Sequence, residues 1–70
     1  MQAENLSAAD LRAELARVGL PRYVAAARVG IHPSRLSAIL WERETLPRRL
    51  AARLWAIIEE ERAARQEAAP

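Results

Sequence analysis

Apolar residues recur at helical spacing in four stretches of the chain, and nowhere do they alternate as a half-buried strand requires. In the first stretch Leu11, Leu15 and Val18 share one side of a helix predicted over Ala8–Val18. Ser7 is placed to cap that helix, and Asp10, three residues on, completes a capping box with the shorter acid in place of Glu. Gly19 stops it. Pro21 suits the first turn of a second, short helix over Pro21–Val29, because its missing N–H costs nothing there. Val24, Ala27 and the neighbouring small residues form the inner face, and Gly30 ends the helix where a left-handed backbone is commonly required. Ile31-His32-Pro33 makes a turn, with Ile31 directed at the core and His32 as an unusual cap. Leu36, Ile39 and Leu40 give a third helix, over Pro33–Glu42, its apolar stripe. Arg43–Leu46 connect it to a last helix opened by Pro47, with Leu50, Leu54, Ile57 and Ile58 on one face. Good helix formers carry that helix to about Glu67, and Ala68-Ala69-Pro70 should fray.

The pattern predicts an all-α fold: one domain over residues 1–70, with a helix-turn-helix at about 21–42 and a long C-terminal helix at about 47–67. The pair of short helices is built on steric grounds. Ala26, four residues before Gly30, lets the helices approach, while Leu36 and Ile39 complete their contact. Seventy residues lie near the lower limit for folding on one core, so a second subunit or a bound ligand would add useful stability. The last helix carries a second stripe, Ala51, Trp55, Ile58 and Arg62, beside the first. One helix of a small domain rarely hides two stripes, so this one is read as a homodimer face anchored by Trp55. The alternative packs both stripes inside the monomer. Trp41 is read as a cover on the end of the core, with contact to DNA or to a partner as the alternative.

Composition narrows the chemistry. There is no Cys and His32 is the single His, so disulfides are excluded and no metal site or other cofactor is implied. No Ser-His-acid set or phosphate loop is visible, and an enzyme is not expected. No apolar run is long enough to span a membrane, and Met1–Leu6 lack the form of a signal peptide. The expected location is the cytoplasm of the cell that makes it.

The net charge of +2 hides an asymmetry. Residues 21–50 carry Arg22, Arg28, Arg35, Arg43, Arg48 and Arg49 against only Glu42 and Glu44, whereas the segments on either side are slightly acidic. The helix pair is thus the electropositive part of the chain, as a phosphate-binding surface requires. All the basic residues are Arg; a GC-rich coding sequence accounts for that without any function. Glu59-Glu60-Glu61 is read as a solvated face pairing with Arg62 and Arg65 across turns.

The run from Arg22 to Leu40, above all Ala27-Arg28-Val29-Gly30-Ile31-His32-Pro33-Ser34-Arg35-Leu36-Ser37, resembles the helix-turn-helix of the lambda-repressor-like family of phage repressors, Cro proteins and small bacterial regulators. The similarity extends over about Leu11–Ile58. It implies a bundle of four or five helices, sequence-specific binding in the major groove of double-stranded DNA, and frequent dimers. Two departures stand out. Arg22 stands where the family often has a Gln that touches the backbone or the next helix, and Trp41-Glu42 replaces a common Asn-Gly. On this resemblance Ser34, Arg35, Ser37 and Ala38 face the bases. Arg35 suits guanine O6 and N7, the two serines suit base edges or phosphates, and Ala38 suits a thymine methyl. Arg22, Tyr23, Arg28, His32, Arg43, Arg48 and Arg49 lie around them as phosphate contacts.

The function implied is a transcriptional regulator of phage repressor or Cro type, bound to a partly palindromic operator as a dimer. A second reading makes the fold a protein-interaction module, a phage factor bound to a host protein or an antitoxin-like half, motivated by Trp55 and the acidic cluster. A third keeps DNA binding but serves DNA packaging or recombination.

Overall fold

Four helices form where the apolar periodicity places them: α1 over Ala8–Arg17, α2 over Arg22–Val29, α3 over Pro33–Leu40 and α4 over Arg48–Ala68. The computed structural model describes residues 7–68, among which there is no strand. The readings of Met1–Leu6 and of Ala69-Pro70 lie outside the described residues. Ala68, expected to fray, closes α4.

Local chemistry sets the helix starts. The Asp10 N–H donates to Ser7 Oγ at 3.1 Å and the Ser7 N–H donates to Asp10 Oδ2 at 3.2 Å, a complete capping box. Pro21 is the cap of α2 rather than its first residue, and no side chain bonds there. His32 caps α3: its Nδ1 accepts the Ser34 N–H at 3.1 Å, and Pro33 fills the first turn.

The first three helices stop by one device. After α1 the Leu20 N–H reaches the Leu15 carbonyl at 2.9 Å, and after α2 the Ile31 N–H reaches that of Ala26 at 3.0 Å. After α3 the Arg43 N–H reaches the Ala38 carbonyl at 2.8 Å and the Glu42 N–H that of Ile39 at 3.0 Å. This is the Schellman pattern, which needs a left-handed residue at the bend. Gly30 supplies it at φ 78° and Gly19 at φ 71°, but after α3 the residue is Glu42 at φ 64°. A side chain in that conformation costs on the order of 1–2 kcal/mol. Glu42→Gly is therefore expected to raise stability by about 0.5–1 kcal/mol, part of the relief being lost to glycine's freedom in the unfolded chain. Thermal melts should show a rise of a few degrees. An unchanged or lower melting temperature would contradict the left-handed bend.

The core is aliphatic. Leu11, Leu36, Ile39, Leu40, Leu54 and Ile58 are fully buried, and α2 contributes Ala25 and Ala26, whose small side chains allow close approach. Ile31 is half-buried against this core. Both α3 and α4 make their main contacts with α1 and α2. Ion pairs fasten α4 further, Arg62 to Glu14 of α1 at 2.7 Å and Arg28 of α2 to Glu60. Being partly exposed, each is worth no more than about 1 kcal/mol.

This packing corrects the predicted homodimer face. Ala51 and Ile58 are 3% and 0% exposed within the single chain, and Trp55 is half-buried against the core. Arg62 lies over the Trp55 ring at 5.6 Å and also binds Glu59. The reason is geometric: α4 lies against α1 and α2 at once, so its buried arc is wide enough to take both stripes. Trp41 is also corrected. Rather than closing the core it is 51% exposed, with the Arg12 guanidinium 4.0 Å from its ring centre. No described helix is long and apolar enough to cross a membrane.

Candidate nucleic-acid interface

The outer side of α3 is polar because its apolar residues fall on one stripe. Leu36, Ile39 and Leu40 point into the core, leaving Ser34 and Arg35 exposed and Ser37 and Ala38 half-buried. The turn before α3 holds its start in place. The Ser34 hydroxyl lies 2.7 Å from His32 Nδ1, which also accepts the Ser34 amide. The other ring nitrogen, Nε2, makes no hydrogen bond among the described residues.

Arg22 stands at the first position of α2, and its Nη1 donates to Ser37 Oγ at 3.0 Å. The two helices of the pair are thus bridged by a polar contact above their apolar one. Tyr23, next to it, is 67% exposed. In the first turn of α3, Arg35 Nε lies 3.7 Å from Glu44 Oε1, a loose exposed pair that leaves most of the guanidinium's donors unengaged.

The start of α4 adds the second half of the surface. Arg35, Arg49 and Arg53 border one cleft of about 240 Å³ whose floor includes Ile39 and Leu50. Arg43, Arg48, Arg49 and Arg53 are exposed and form no ion pair among the described residues. The first turn of α4 contains no acid. Two cations therefore sit at the positive end of a 21-residue helix dipole, an arrangement that costs roughly 0.3–1 kcal/mol per charge.

No protein-family model, curated protein or solved structure matches the chain.

The structure thus brings together Arg22, Tyr23, His32, Ser34, Arg35, Ser37 and Ala38 around α3, with Arg49 beside Arg35 and with Arg43 and Arg48 exposed nearby in sequence. Arg28 does not join them. Its guanidinium is held by Glu60 and by Glu61 at 3.5 Å, so its charge is neutralised in fastening α2 to α4. Arg53 is a residue the sequence reasoning missed. Its spacing of four from Arg49 on a helix was the available signal.

Proposed function

We propose that this chain binds double-stranded DNA through the polar outer side of α3, as a sequence-specific regulator of the lambda-repressor-like kind. The observation that carries the reading is the cluster of uncompensated arginines at the start of α4, set against the helix dipole beside Arg35. Stability alone disfavours that arrangement, whereas a phosphate backbone laid across it would turn the same charges and the free amides of the α4 first turn into binding energy. Ser34, Arg35, Ser37 and Ala38 would then meet base edges, and His32 Nε2, Arg22, Arg43, Arg48 and Arg49 would meet phosphates. The acidic cluster and Trp55, which motivated a protein-interaction module, are absorbed in pairs and packing within the monomer.

Binding selection on random duplex DNA tests the proposal. It should return one enriched motif, bound with an affinity that falls steeply with salt. A palindromic motif with half-sites ~34 Å apart would report a dimer on the duplex. Arg35→Ala should flatten the preference at one base position at a cost of about 1–3 kcal/mol and leave the other positions intact. No enriched motif together with salt-independent binding would overturn the reading.

A further inference from the structure

Among the described residues two large apolar side chains stand exposed, Tyr23 at 67% and Trp41 at 51%, and both border the same groove. This groove of about 740 Å³ lies beside α3, reaching from α1 to the start of α2. Pro21 and Pro33 line it over the buried core residues Leu15, Leu20 and Leu40, and Arg12 and Arg22 stand on its rim. A single exposed apolar residue is ordinary, but two on the border of one groove mark a surface shaped for contact.

Charge narrows the occupant. Among the described residues no carboxylate lines the groove. Arg12 and Arg22 donate to neutral acceptors, the Leu40 carbonyl and Ser37 Oγ, and face no carboxylate among the described residues. By contrast Arg17, Arg28, Arg35, Arg62 and Arg65 each face a carboxylate. The Arg12 guanidinium also stacks on Trp41, holding the ring at the groove's edge. A phosphodiester backbone would satisfy the two arginines but has no apolar group to set against the exposed Tyr23 and Trp41 rings. A peptide that carries acids around one large apolar side chain satisfies both.

We infer that the groove is a docking site for an acidic peptide segment of a partner protein, presenting an aromatic or leucine anchor between Tyr23 and Trp41. Arg22, Ser34 and Ser37 border the groove and also belong to the outer side of α3, so its occupant and a DNA duplex exclude each other. That last consequence alone rests on the DNA reading; the groove's own chemistry does not.

Panning displayed random peptides against the intact chain tests the inference. The expected result is enrichment of net-acidic peptides with an aromatic or leucine, whose binding shifts Trp41 emission to the blue. Tyr23→Ala and Trp41→Ala, each checked for helix content, should weaken the selected peptide at least about ten-fold. Arg22→Glu should abolish binding. Enrichment of basic peptides, or peptides bound equally well by the Tyr23→Ala and Trp41→Ala proteins, would overturn it. So would the absence of any enriched peptide; a ten-fold or greater (about 1.4 kcal/mol) loss of duplex affinity in Trp41→Ala would then give the groove to nucleic acid.

Discussion

Ile58→Ala is expected to lower folding stability by about 2–5 kcal/mol, the usual cost of a cavity left by a large aliphatic side chain. Ile58 is fully buried among residues of its own chain, so nothing outside the monomer relieves the loss. A domain of this size holds only about 4–10 kcal/mol in all, and each kcal/mol moves its melting temperature by about 4–8 °C. The melt should therefore fall by tens of degrees, or the variant should be unfolded at physiological temperature. The loss should also be the same across a roughly hundred-fold range of protein concentration. A residue at a subunit interface behaves otherwise: truncation there gives a concentration-dependent melt and a folded monomer. A folded Ile58→Ala monomer of near-normal stability would return this side chain to an interface.

The contrast with the sequence reading lies in what periodicity can and cannot say. It located the helices because the caps are local: Ser7 with Asp10, His32 with Ser34, and glycines at two of the three bends each act within a few residues. It also showed which side of α3 is apolar, and therefore which side is outward. How wide an arc of α4 is covered depends on α1 and α2 lying against it together, and a linear pattern does not contain that information. Two adjacent stripes on one helix read as one inner and one outer face, whereas both are inner. Arg28 was misplaced for a related reason. Its partners Glu60 and Glu61 lie 32 and 33 residues away in sequence, and only the packing of α2 on α4 brings them together.

The bend after α3 was illegible for a different cause. At Gly19 and Gly30 the glycine and the apolar residue after it, Leu20 or Ile31, announce the motif. At Glu42 the following residue is Arg43, and neither half of the signal is present. The same backbone bend forms nonetheless, because the carbonyls of Ala38 and Ile39 need donors wherever the helix ends. Trp41 escaped in a similar way. Arg12, on α1, donates to the carbonyl of Leu40 and stacks on the neighbouring ring, so a tryptophan at the helix end is propped open by a cation from another helix. Local spacing had nothing to say about that pairing.

The double change Arg48→Asp with Arg49→Asp should separate stability from binding by moving them in opposite directions. Both residues lie in the first turn of α4, where a cation opposes the helix dipole and a carboxylate is favoured. Replacing two of the former by two of the latter should stabilise the fold by about 1–2 kcal/mol, since neither side chain has an ion-pair partner to lose among the described residues. On the DNA reading the same change removes two phosphate contacts and sets two anions against the backbone. Duplex affinity should then drop by two or more orders of magnitude, roughly 3 kcal/mol, and the slope of log affinity against log salt should shrink by about 2. Because the folded state is expected to gain, weaker binding cannot be laid to unfolding. Calorimetric melts and a salt titration on one duplex measure both effects. A variant that melts higher yet binds DNA as tightly as the parent would remove the start of α4 from the interface, and with it the observation on which the DNA reading chiefly stands.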